Sequence, residues 1–150
     1  MTDAVIQVLM SFITSAGFSV LFNVRGKNVV INGLGGALSW IVYLLAFDAF
    51  NSLFWGFFIS TLAVALLCYM LAKTIKAPVT VMLVPMIIPL VPGGLLYNTV
   101  FNIITGNNSA AMSYFRDLVI ELAGINLAII AVATLFEIIY SVRKYRLGRV

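Results

Sequence analysis

Charge spacing constrains this chain more than any other feature. Its nine basic and five acidic residues leave long stretches without any charge. Positions 4–24 lie uncharged between Asp3 and Arg25, 28–47 between Lys27 and Asp48, and 49–72 between Asp48 and Lys73. A longer gap, 77–115, follows Lys76, and its apolar part ends near Thr105; a last apolar run extends from about Asp117 to Val142. A helix needs roughly 20 mostly apolar residues to cross the hydrocarbon core of a bilayer. Composition agrees: 63% of the 150 residues are hydrophobic, 9% are charged, and mean hydropathy is +1.12. Soluble domains carry about 25% charged residues, and a chain of this size buries only about 70% of its unfolded surface. The chain therefore reads as an all-α integral membrane protein. About five transmembrane helices are expected, at roughly 4–24, 28–47, 50–72, 78–105 and 117–142, in one domain over 1–150. A soluble enzyme, a nucleic-acid-binding domain and a disordered tail are excluded, although the pI is about 9.5.

The basic residues act instead as topology signals, since cytoplasmic loops are enriched in Lys and Arg. Five crossings with the N-terminus outside put Arg25, Lys27, Lys73, Lys76, Arg143, Lys144, Arg146 and Arg149 inside and only Arg116 outside. If the fourth segment failed to cross, the contrast would fall to five against four, so the reading is N-out and C-in. Met1-Thr2-Asp3 offers no basic region before the first apolar run, which is expected to stay in the protein rather than be cleaved as a signal peptide. With one Cys (Cys68) and no His, neither a disulfide, a metal site nor a cofactor is expected.

Three segments depart from plain apolar composition. The second opens Asn32-Gly33-Leu34-Gly35-Gly36-Ala37-Leu38-Ser39. Small residues at helical spacing, Gly33 with Ala37 and Gly35 with Ser39, let a neighbouring backbone approach closely in lipid, so Gly33, Gly35, Gly36 and Ala37 read first as helix packing and second as part of a solute path. Trp40 and Tyr43 lie too far from a helix end for the aromatic belt that Trp55 fits.

The fourth segment carries Pro85-Met86-Ile87-Ile88-Pro89-Leu90-Val91-Pro92-Gly93-Gly94-Leu95-Leu96-Tyr97-Asn98. Each Pro lacks an N–H and pushes its predecessor out of the α region, and the two glycines are free to take positive φ. The helix is expected to break here. Broken backbone at membrane depth is tolerated where it is buried or lines a wet cavity, and transporters aim such ends at their substrates. Pro85, Pro89, Pro92, Gly93, Gly94, Tyr97, Asn98 and Asn102 are accordingly placed on a substrate path, with Asn98 and Asn102 four apart on one face. The fifth segment supplies the acids. Asp117 and Glu121 share a face and are the candidates for proton coupling, Glu121 being the deeper, while Glu137 is expected to pair with Arg143 and Lys144. Asp48 in Asp48-Ala49-Phe50-Asn51 reads as turn chemistry.

Pro85 to Tyr97, together with Phe22-Asn23-Val24 and the stretch Gly33 to Trp40, resembles the proline-glycine signature of the threonine/serine exporter family. Length and span number are similar to the family's small-subunit type, equivalent to the C-terminal membrane half of its single-chain members. The resemblance implies a multi-pass subunit of a secondary exporter in a bacterial inner membrane, driven by the proton-motive force. It carries threonine- or serine-like amino acids, with succinate-type dicarboxylates as the alternative. It also implies a larger partner subunit with its own spans and a cytoplasmic domain, in a hetero- or homo-oligomer. A partner crossing five times from the cytoplasm would end outside, where this chain begins, which is the relation found in inverted-repeat transporters. A self-sufficient homo-oligomeric channel or carrier and a non-transporting membrane scaffold are the competing readings. An enzyme is not expected, because no Ser–Lys pair, paired midplane aspartates or metal cluster is visible.

Overall fold

A computed structural model describes residues 2–75 and 78–146, with side chains placed for 3–72 and 78–142. Six α-helices and one 3-10 turn make up these residues: α1 Thr2–Leu21, α2 Lys27–Phe50, α3 Leu53–Ile75, α4 Val79–Ile87, the 3-10 turn Ile88–Leu90, α5 Gly93–Ile104 and α6 Asn108–Arg146. Four of them are each long and apolar enough to cross a membrane. The pair Val79–Leu90 and Gly93–Ile104, bent by 56° at its break, makes a fifth span when taken as one. The chain is a multi-pass α-helical membrane protein whose fourth span is broken at the Pro/Gly run.

The helix ends follow from local chemistry. Asn23 takes a left-handed conformation (φ 59°) after α1, and the N–H groups of Asn23 and Val24 return to the carbonyls of Val20 and Ser19. That pair of hydrogen bonds closes a helix with a left-handed residue just past its end. Gly106 (φ +78°) does the same for α5, with Gly106 and Asn107 N–H on the Ile103 and Asn102 carbonyls. Asn107 then caps α6, its Oδ1 accepting from Ala110 N–H at 3.3 Å. Two helix bounds differ from the sequence reading. Asp48 is the last turn of α2 rather than a loop, because Asn51 (φ 50°) makes the left-handed turn. The last helix starts at Asn108 rather than near Asp117, because the Asn107 cap, not the charge pair, sets its beginning.

α1 packs on α2, α2 on α3 and α3 on α6, while α4 lies in the crook of α1, α2 and α3. The core joins Val64, Ala65 and Cys68 of α3 to Met82, Leu83 and Met86 of α4 and Val132 of α6. A second cluster joins Phe57, Leu90 and Ile125. Gly124 of α6 abuts the backbone of Phe54 and Phe58, whereas Phe136 stacks on Tyr69 at a centroid distance of 4.4 Å. Both numbers rise together, so α3 and α6 run parallel. The chain between them must return across the bundle, and the broken segment therefore crosses it.

α6 is far longer than one span. Its 39 residues extend roughly 58 Å at about 1.5 Å per residue, near twice the ~30 Å hydrocarbon core. The part beyond Glu121 runs beside α3; the part before it has α5 as its main neighbour. α5 and the first third of α6 thus form a hairpin that leaves the bundle, with Tyr97, Phe101, Ile104, Met112 and Phe115 exposed along it.

Candidate functional site

The break in the fourth span is built by Pro89 and Pro92. Pro89 is the second residue of the 3-10 turn, Val91 is extended, and Pro92 precedes α5. Gly93 and Gly94 form the first helical positions of α5, and neither takes positive φ. Their value is therefore not conformational. A Cβ on either would meet nothing within 4 Å, so the surface at this helix start is open to an approaching group. Gly93 N–H turns back to Val91 O at 2.7 Å and Leu96 N–H to Pro92 O, but among the described residues nothing accepts from Gly94 or Leu95 N–H. These are two of the four donors every helix start leaves free, and they carry the positive end of the helix dipole.

Leu90, at the break, shares a buried cluster with Phe57 of α3 and Ile125 of α6, and Glu121 lies one turn before Ile125 on α6. Two antiparallel helices of equal rise joined by a tight turn set Gly94 opposite Leu118. Glu121 is only 7% exposed, and no hydrogen bond or ion pair reaches its carboxylate among the described residues. Tyr43 of α2 packs against the cluster of Phe57, Leu90 and Ile125. Its ring is held by Phe57 at 4.6 Å, Trp40 at 5.0 Å and Phe47 at 5.9 Å. Gly56 gives that ring room, since a Cβ there would sit 3.1 Å from it. An aromatic wall and the buried cluster of Phe57, Leu90 and Ile125 thus flank the point where α4 passes into α5.

A second polar centre ties α1, α2 and α4 together. Pro85 inside α4 cannot donate to Val81 O, the acceptor four residues back. Asn32 of α2 fills that role, its Nδ2 donating to Val81 O at 3.3 Å and to Ser19 Oγ at 2.9 Å. Ser11, Ser15 and Ser19 share the inner face of α1 and are all buried. Ser11 and Ser19 donate to the carbonyls of Gln7 and Ser15, at 2.8 Å each. Next to this stripe, a methyl on Gly36 would collide with Ser15 Oγ, one on Gly33 with the Phe12 ring, and one on Gly35 with Met86. An open cleft of about 190 Å³, lined by Phe22, Thr80, Val81, Val84 and Pro85, lies beside this junction.

The residues singled out from the sequence are thus distributed. Pro89, Pro92, Gly93 and Gly94 form the break, and Glu121 is buried on α6. Pro85 and Gly33, Gly35 and Gly36 belong to the α1–α2–α4 contact, with Ala37 half-buried beside them. Tyr97 is 67% exposed on α5, where it stacks on Phe101. Asn98 and Asn102 are half-buried, and Asn102 Nδ2 donates to Asn98 O within the same helix at 2.8 Å. Asp117 pairs with the exposed Arg116 at 3.4 Å. Glu137 is exposed, and the side chains of Arg143 and Lys144 lie outside the described residues. Sequence reasoning missed Tyr43, Asn32 and the α1 serines. Their fourfold spacing, 11, 15 and 19, was the available signal, as was Gly124 with Ala128 for the α3–α6 contact.

Comparison with known proteins found no match among curated proteins and none among solved structures. The family model described as "Threonine/Serine exporter, ThrE" matches residues 7–135, a stretch that takes in the broken fourth span and Glu121. That family is one of exporter-type transporters, which agrees with several apolar helices and a break in one of them. By this match over most of its length, the chain belongs to the threonine/serine exporter family.

Proposed function

We propose that this chain is the small subunit of a secondary exporter of threonine- and serine-like amino acids, driven by the proton-motive force and completed by a larger subunit with its own spans and a cytoplasmic domain. The observation that carries the reading is the family match, which includes the broken span and Glu121. The residues at the break act as the substrate path and Glu121 as the proton-coupling group. The chain lies N-out and C-in in a bacterial inner membrane, the orientation the basic loops favour. A partner is supported by the α5–α6 hairpin, whose exposed apolar side chains leave the bundle, and by the free N–H groups of Gly94 and Leu95, which lipid would not tolerate. Amino acids are favoured over dicarboxylates because Glu121, a negative group, is the charged side chain buried among the described residues.

An efflux assay tests this. Cells lacking their own exporters express the chain alone or with a candidate larger subunit and are loaded with a threonine-containing dipeptide or with succinate. Threonine efflux is expected only with the partner and is expected to collapse when the proton gradient is dissipated. Efflux from the chain alone would make it a self-sufficient channel or carrier. Unchanged efflux with and without both chains would leave a scaffold.

A further inference from the structure

The end of the bundle that carries the α1–α2 turn sets an apolar cleft beside unneutralised positive charge. The cleft, about 190 Å³, lies between the end of α1 and the start of α4 and is lined by Phe22, Thr80, Val81, Val84 and Pro85. Thr80 alone among these carries a polar side-chain atom, and Phe22, Thr80, Val81 and Val84 are exposed on the outer surface of the bundle. From Thr80 to Val84 the cleft runs one helical turn, about 5 Å, from the bundle end toward the membrane interior. The chain at its mouth is fixed by hydrogen bonds. Asn23 and Val24 N–H return to Val20 and Ser19 carbonyls, and Arg25 Nε donates to Asn23 Oδ1 at 3.1 Å. That last bond ties the Arg25 guanidinium to the residue next to Phe22 and leaves its terminal N–H groups for an oxyanion. Arg25 and Lys27 are exposed, and neither has an acidic partner among the described residues.

We propose that this is a site for one anionic phospholipid, its phosphate on Arg25 and Lys27 and one acyl chain lying in the cleft against Phe22, Val81 and Val84. The charges suit an anion and the walls suit hydrocarbon, so an amphiphile with an anionic head satisfies both. A zwitterionic lipid fills the cleft but brings its own cation, and the basic pair gains little from it. A free phosphate ester meets the charges and leaves the apolar walls empty. Arginine takes a phosphate through parallel N–H···O bonds, and lysine adds a point charge beside it. Basic pockets between spans on the cytoplasmic side suit anionic lipid heads, and the orientation proposed above puts Arg25 and Lys27 on that side. The acyl chain would cover the part of α4 that α1, α2 and α3 leave exposed at Val81 and Val84. The inference goes beyond the exporter reading and does not depend on it.

The test is lipid competition on the purified full chain in a neutral detergent, read by native mass spectrometry with equal amounts of dioleoyl phosphatidylglycerol and dioleoyl phosphatidylcholine. Wild type is expected to retain one phosphatidylglycerol in preference. R25Q and K27Q should each lower that preference about fivefold, the worth of one basic residue near an anionic head. R116Q removes a positive charge at the other end of the bundle and should leave the preference unchanged. V84F fills the cleft and should lower phosphatidylglycerol retention several-fold; R25Q and K27Q, on the exposed turn, decide the matter if V84F does not fold. Glycerol 3-phosphate, a head without chains, should not displace the lipid. Equal retention of the two lipids by wild type, an R116Q effect as large as that of R25Q, or wild-type retention by folded V84F would overturn the proposal. Displacement by glycerol 3-phosphate would make this a site for a free phosphate ester and overturn the lipid assignment. Threonine efflux is read separately, so either reading can fail without the other.

Discussion

Gly94 and Gly36 show how differently two glycines of one chain are used. A side chain on Gly36 has no room, because Ser15 Oγ occupies the place of its Cβ. Gly36→Val should therefore lower stability by about 2 kcal/mol, in the range of overpacked cores. Gly94 has open space around it, and Ala is the better helix former by up to about 1 kcal/mol. Gly94→Ala should leave the thermal midpoint of the purified protein unchanged or raised, yet reduce threonine flux several-fold by filling the surface at the α5 start. Wild-type flux in a well-folded Gly94→Ala protein would remove the break from the substrate path. The sequence could not separate the two roles, since both residues sit in glycine-rich runs of apolar segments. What surrounds each Cα is set by other helices.

Among the elements, α4 is the one that depends most on its neighbours. Pro85 interrupts its hydrogen bonds, and α2 supplies the substitute through Asn32. This can be measured as a coupling. Asn32→Ala should destabilise the protein by about 1–2 kcal/mol, because it leaves Val81 O and Ser19 Oγ without their buried donor. In a Pro85→Ala background the Val81 carbonyl regains a donor from its own helix. The same Asn32→Ala change should then cost less, by about 0.6 kcal/mol, typical of interhelical bonds in membranes. Additive unfolding midpoints across the four proteins would show that the two residues act independently. The proline break was legible from three prolines and two glycines within ten positions. The Asn32 bridge was not, because no local rule says which helix will stand beside a carbonyl freed by proline.

At the scale of the whole molecule, the parallel course of α3 and α6 fixes the path of the chain. Asn51, before α3, and Asn107, before α6, must lie at the same end of the bundle, with Arg25 at the other. Cysteines placed singly at 51 and 107 should react with a membrane-impermeant thiol reagent from one side of the membrane, and one at 25 from the opposite side. The native Cys68 is fully buried and should stay silent. Opposite labelling of 51 and 107 would mean that the fourth segment re-enters instead of crossing. By itself, the sequence determined the membrane class, the number of apolar segments and the place of the break, because each rests on local quantities: run length, charge spacing and missing N–H groups. Only the tertiary structure decided which polar side chains lie inside. Glu121 is buried and unpaired while Asp117, one turn earlier, is held at the surface by Arg116. Burial depends on which helices pack around a position, and residues as far apart as 43, 90 and 125 gather in one cluster only once they have done so.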